Sequence, residues 1–262
     1  MYFELSYTRR KALACPYSFK RLYGNGESTA SQMDAQAGIV GHDLIAAYIE
    51  HLGRRHRQRD TDWLIKRFDA EMKDHHPYIR EFLEAPLARF MQSYVHRREI
   101  KHLVEMEYWA TADGKPLPML PPGAPLPCDC YHGRADWIEI EYAGEKAVVH
   151  DHKLGFNRSF LQMHSQNNEQ LQGYCWLYLI HHPECKTIVG AIHPWRFTSN
   201  PIYGSWSRDH LMEIMPAILK PDFDRVRALY EQYGDNDWPA EADYETVCRW
   251  CMLECPLYIG DE

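Results

Sequence analysis

The stretch Tyr131–Phe156, YHGRADWIEIEYAGEKAVVHDHKLGF, decides how this chain is read. It contains two β-rich runs, near Gly133–Glu141 and Lys146–Lys153, joined by the turn AGE. Side chains two apart on a strand point the same way. Asp136 therefore shares a face with Ile138 and Ile140, and Asp151 and Lys153 share one with Ala147 and Val149. Two carboxylates and an ammonium at the ends of apolar stripes are costly to bury unless paired or bound to metal. The pattern points to a metal-dependent active site, with an ordinary salt bridge between strands as the alternative.

The rest of the chain sets limits. Its 262 residues suit one large domain, 45% are hydrophobic and 13% aromatic, and this argues for a folded core. No apolar run reaches the ~18 residues that span a membrane. The N-terminal sequence MYFELSYTRRKALAC lacks a signal-peptide core, so a cytoplasmic protein is expected. Eight cysteines in such a protein suggest metal ligation or burial rather than a disulfide framework. A net charge of −8 excludes a generally basic nucleic-acid binder. Local basic tracks remain: Arg9, Arg10, Lys11, Lys20 and Arg21; Arg54, Arg55, Arg57 and Arg59; Arg97, Arg98 and Lys101. Each reads either as a nucleic-acid track or as a solvated helix face.

Periodicity predicts helices over Ala35–Leu52, Asp60–His75 and Tyr78–Arg98, the last interrupted by Pro86. A strand follows at Leu103–Ala110 and a Pro/Gly-rich loop at Asp113–Pro127. After the two runs of the opening stretch come a helix over Ser159–His181, a strand over Thr187–Phe197 and a helix over Asp209–Tyr233, kinked at Pro216. Four or five strands and this order predict a mixed α/β core with a helical cap.

Four groups carry chemistry. Asp136 and Asp151 are hard oxygen donors suited to Mg²⁺ or Mn²⁺. Lys153 beside them would orient an attacking water and offset negative charge on a phosphate. Gly38 and His42 share a helix face, where His42 is either a nitrogen ligand favouring Mn²⁺ or a partly buried histidine. Gln166, Gln170 and Tyr174 form a polar helical stripe that either supports the site or is simply solvated. Cys248, Cys251 and Cys255 have ligand-like spacing but need a fourth donor, for which Cys15 is the best candidate. Cys128 and Cys130, read as close together in a loop, are the alternative source. Cys175 and Cys185 read as core. His132 lies near the acidic residues in sequence without an assigned role.

In this order, Cys15, Gly38 with His42, Gly133 with Asp136, Asp151 with Lys153, Gln170 with Tyr174 and the terminal cysteine trio resemble the RecB-type branch of the PD-(D/E)xK nuclease superfamily. More narrowly, they resemble its iron–sulfur members, the CRISPR-associated RecB-like exonucleases and AddAB-type nuclease domains. The resemblance implies a restriction-endonuclease-like α/β fold: a mixed central sheet flanked by helices, with a helical cap inserted at 35–100, a catalytic core at 103–200 and a cysteine-rich C-terminal tail. It implies that His42, Asp136, Asp151 and the backbone carbonyl of His152 bind metal, that Lys153 is catalytic, and that Gln170 and Tyr174 support the site. It further implies a 4Fe-4S cluster on Cys15, Cys248, Cys251 and Cys255. The final cysteine gap is three residues where relatives often have five, which keeps zinc as the alternative.

The expected activity is metal-dependent hydrolysis of DNA phosphodiesters, as an exonuclease on single-stranded ends in repair or recombination. No phosphate-binding G-x4-G-K-[ST] loop is present, so any helicase is a partner protein. A non-catalytic nucleic-acid-binding or assembly subunit of the same fold is the rival. His150-Asp151-His152 superficially suggests a barrel amidohydrolase. That fold needs eight strand–helix repeats over roughly 250 residues, and His150 and His152 share the face opposite Asp151.

Overall fold

The computed structural model describes residues 2–25, 33–121, 124–155 and 168–241. The chain divides into two compact units. The larger comprises Gln32–Glu107 and Arg134–Leu211, and the smaller Met1–Ser31, Tyr108–Gly133 and Met212–Glu262. Cys248, Cys251, Cys255, Gln166 and the first part, residues 159–167, of the helix expected over Ser159–His181 lie outside the described residues.

In the smaller unit, β1 (Glu4–Leu5) pairs in parallel with the start of β4 (Cys130–Glu141), and β3 (Pro116–Leu117) pairs with the end of β2 (Lys101–Thr111). Helix α1 (Tyr7–Ala12) is capped by the Ser6 hydroxyl, which accepts from Arg9 N–H. Helix α2 (Pro16–Phe19) runs into a π-helical turn at Lys20–Gly24. Cys130 is buried within β4, where a loop had been expected. Its amide donates to the Phe3 carbonyl, which completes the strand pairing.

The larger unit contains three helices followed by a sheet. Helix α3 (Met33–Arg55) buries Ala37, Gly41, Leu44, Ile45, Tyr48, Ile49 and Leu52, a stripe at helical spacing. Asp34 in its first turn and Arg54 and Arg55 in its last complement the helix dipole. Helices α4 (Thr61–Glu71) and α5 (Pro77–Ser93) supply Leu64, Phe82, Leu83, Leu87 and Phe90 to the same core. The sheet order is β2-β4-β5-β6-β7, with β5 at Lys146–His152, β6 at Thr187–His193 and β7 at Ile202–Trp206. Strands β4 and β5 form an antiparallel hairpin. Strand β6 is parallel to β5 and is reached through helix α6 (Glu169–His181), since parallel neighbours require a crossover connection. Strand β7 returns antiparallel to β6. The described residues thus hold seven strands rather than four or five. Those missed are short: β1, β3 and β7 have two, two and five residues.

Two prolines expected to disturb helices do not interrupt them. Helix α5 continues through Pro86. A proline cannot donate to the carbonyl four residues earlier, here that of Phe82. The guanidinium of Arg196 donates to that carbonyl instead, and it also lies 4.4 Å over the Phe82 ring. Helix α7 (Arg208–Tyr233) likewise continues through Pro216 and Pro221, with Met215, Leu219, Phe223 and Val226 buried.

Gly41 fixes how closely α3 approaches the segment after β5. A Cβ there would stand 2.3 Å from Leu154 Cδ1 and 2.7 Å from Leu83 Cδ2, both on buried side chains. Gly38, the glycine singled out in the sequence, has open space around it. Gly41→Val is expected to destabilise the fold by about 1–3 kcal/mol through overpacking. Denaturant unfolding measures this, and an unchanged midpoint would contradict the close approach.

Candidate metal centre

Four elements of the larger unit converge on one site. Strand alternation places Asp136 on β4 and Asp151 on β5 on one face of the sheet, opposite Trp137, which packs with α3 and α5, and His42 projects from α3 to meet Asp136. His42 Nδ1 lies 3.2 Å from Asp136 Oδ1. The other Asp136 oxygen accepts the His152 amide at 2.6 Å. Lys153 Nζ is 2.9 and 2.8 Å from the two Asp151 oxygens. It also donates to Gln170 Oε1 at 2.9 Å, and the Gln170 amide donates to the Tyr174 hydroxyl at 2.8 Å. His42, Asp136, Asp151, Lys153, Gln170 and Tyr174 are therefore brought together. The His152 ring points away, accepting from Trp195 Nε1 at 3.0 Å, and its backbone lies beside Asp136.

Glu105 on β2 was not singled out in the sequence. His42, Glu105 and Asp136 can each offer one ligand atom with all three within 4.8 Å of one another. Glu105 has φ 51°, a left-handed conformation inside a strand. Holding a non-glycine residue there costs on the order of 1–3 kcal/mol, a kind of strain that concentrates at functional sites. Arg134 pairs with Glu105 at 2.9 Å. The run VEMEYWA contains two acids on one strand face, so its sequence gives no means of choosing Glu105 over Glu107.

The electrostatics follow from crowding buried charges. Burial opposes ionisation of Asp136, but the charge and hydrogen bond of His42 and the contacts from His152 outweigh it and hold the carboxyl well below its usual range. Burial likewise opposes charging of His42, and the Asp136, Asp151 and Glu105 carboxylates overcome it, so its affinity for a proton rises. Asp151, 2% exposed, is pushed up by burial and only partly compensated by Lys153. Glu105 is raised by burial and then by Asp136. Three carboxylates stand against the Lys153 ammonium, the Arg134 guanidinium and one imidazole, and together offer donors for a cation. Hard oxygens with a single nitrogen suit Mg²⁺ or Mn²⁺.

Behind the site, His150 and His193 hydrogen-bond at 2.8 Å and the Trp137 ring stacks on His150 at 3.7 Å. This engagement, with the strand order above, removes the amidohydrolase reading. His132, in the smaller unit, is 2.9 Å from Glu4 and stacks on Trp109. Burial pushes His150 down to about 3 and His96 down to about 4, and His152 and His193 fall well below the usual value. In the unfolded chain these groups take up protons near pH 6.5. Their contribution to stability is therefore full above that pH and is lost as pH falls toward 4, at about 1.4 kcal/mol per unit of depression. The raised carboxyls of Asp151, Glu105 and Glu139 and the raised His42 act in the opposite sense, but their shifts are smaller. Melting temperature in EDTA is expected to fall between pH 7.5 and pH 5, and a flat profile would contradict the buried neutral histidines.

Among the described residues no helix is long and apolar enough to cross a membrane. No curated protein matches the chain. The family model for the PD-(D/E)XK nuclease superfamily matches residues 4–255, which include every element that carries the acidic site. The chain belongs to the PD-(D/E)XK nuclease superfamily.

Proposed function

We propose that this protein is a Mg²⁺- or Mn²⁺-dependent deoxyribonuclease of the RecB-like branch, acting as an exonuclease on single-stranded DNA ends. The observation that carries this reading is the shared pocket: the Asp136 and Asp151 carboxylates, the His42 imidazole and the Lys153 ammonium lie side by side. His42, Asp136, Asp151 and the His152 carbonyl would hold the cation, with Glu105 as a further donor. A bound divalent ion lowers the pKa of water and neutralises phosphate charge. Lys153 aligns the attacking water and offsets charge developing on the phosphate. Gln170, itself held by Tyr174, fixes the Lys153 ammonium so that it need not reorganise during reaction.

The cleavage pattern tests the exonuclease reading. Linear single-stranded DNA is expected to be degraded with Mg²⁺ or Mn²⁺ and to survive in EDTA, and circular single-stranded DNA is expected to resist. Cutting of circles would make the enzyme an endonuclease. Binding without any cleavage would favour the non-catalytic subunit. Glu105→Gln is expected to weaken Mn²⁺ binding by about tenfold, the lower range for loss of a supporting group at a metal site. Calorimetric titration measures this, and unchanged affinity would exclude Glu105 as a donor.

We further infer that Cys15, Cys248, Cys251 and Cys255 hold a 4Fe-4S cluster, with zinc as the alternative. Cys15 is buried and forms no disulfide, and it packs with Tyr17 and Ala240. The Tyr17 amide donates to the Pro239 carbonyl at 3.0 Å, so the chain leading toward Cys248 passes beside Cys15. Anaerobically purified protein should be brown, with iron and sulfide near about four per chain. A colourless protein with stoichiometric zinc would replace the cluster and leave the nuclease reading intact. Cytoplasmic action in repair or recombination, with a helicase partner providing unwinding, belongs to the same proposal.

A further inference from the structure

A cavity of about 320 Å³ in the larger unit takes no part in the chemistry above. It is lined by Gly53 and Arg54 at the end of α3, by His96, Arg98 and Ile100 before β2, and by His102 at the start of that strand. The same two elements carry His42 and Glu105. Gly53 lies about 16 Å beyond His42 along the helix, and His102 lies about 10 Å before Glu105 along the strand. Cavity and metal centre are thus flanked by one helix and one strand, a few nucleotides apart.

The lining is built for an anion. His96 is 4% exposed, and its Nδ1 is 3.0 Å from the Tyr94 hydroxyl. When the hydroxyl donates to Nδ1, the imidazole proton sits on Nε2. That Nε2 has no hydrogen-bond partner among the described residues, and a Cβ on Gly53 would stand 3.7 Å from it. Arg98 has no ion pair among the described residues, whereas Arg54 bonds Glu50 at 2.6 Å. Arg54 is balanced by Glu50 and His102 lies 3.8 Å from Glu139, so Arg98 is the lining cation left to meet one phosphodiester. Arg54 also lines a second cavity of about 320 Å³ with Arg55, Arg67 and Trp63, where Trp63 stacks on His51 at 4.2 Å. Cations beside a half-buried aromatic ring are in keeping with a single-strand track.

We propose that the His96–Arg98–Arg54 cavity binds a phosphodiester of the strand held at the metal centre, a few nucleotides from the scissile bond. This rests on the nuclease reading, and its test separates the two. Anisotropy of a labelled single-stranded oligonucleotide of about 12 nucleotides in EDTA gives the affinity of wild type, Arg98→Glu and Gly53→Ala. Arg98→Glu is expected to weaken binding about tenfold and to reduce the salt slope by about one. Gly53→Ala, which favours the helix and so should melt no lower, is expected to weaken it about threefold by covering His96 Nε2. Wild-type hydrolysis of thymidine 5′-p-nitrophenyl phosphate with Mn²⁺, a diester too short to reach the cavity, reports on the metal centre alone. If wild type hydrolyses it and both variants bind the oligonucleotide normally, the cavity assignment fails alone. If wild type neither hydrolyses the diester nor binds the oligonucleotide, both fail. Variants that lose only thymidine 5′-monophosphate affinity would make the cavity a product site and overturn the strand assignment.

Discussion

Lys153→Ala is expected to lower metal-dependent DNA cleavage by about 10³-fold, the range seen when one preorganised charge-stabilising donor is removed. The ammonium touches both Asp151 oxygens and Gln170 Oε1, so it is fixed before substrate arrives. Its loss leaves Asp151 buried without its partner, and burial already favours the protonated form. The variant should therefore answer the missing charge by protonating Asp151 rather than by unfolding, with a melting temperature within a few degrees of wild type. Residual cleavage should rise with pH as that carboxyl ionises. Single-turnover rates from pH 6 to 9 check this. Cleavage within tenfold of wild type would remove Lys153 from the chemistry.

Asp136→Asn has the second large expected effect. Asparagine keeps a carbonyl to accept the His152 amide, so the β4–β5 hairpin is expected to persist. What disappears is the charge that supports His42 and completes the donor set. Mn²⁺ affinity is expected to fall about 100-fold, the upper range for a lost supporting interaction at a metal site. The His42 resonance in metal-free protein should titrate at lower pH than in wild type, because the carboxylate that raises it is gone. Retained Mn²⁺ affinity with an unshifted His42 would contradict the arrangement.

Much of this site was legible in the sequence because it rests on short-range regularities. Period-two alternation brings Asp136, Asp151 and Lys153 to one face, and helical spacing puts Gln170 beneath Tyr174. What the sequence concealed depends on distant or backbone-level facts. The strain at Glu105 is a φ angle, which no residue pattern records. The carbonyl left free by Pro86 is satisfied by Arg196, 114 positions from Phe82, so the interruption expected at Pro86 does not occur. Gly38 stood in the motif position, yet Gly41 is the glycine that the packing requires, and only the location of Leu154 reveals it. Strand β7 is short and contains Gly204, which weakens its β signal. Strand β6 ends at His193, before Pro194, rather than continuing to Phe197, as expected where proline removes a ladder donor.

The most direct test is anomalous diffraction from crystals soaked in Mn²⁺. The account predicts a manganese peak within coordination distance of His42, Asp136 and Asp151, with the Lys153 ammonium beside it. A pocket that stays empty of manganese while the same protein cleaves DNA with Mn²⁺ would contradict it.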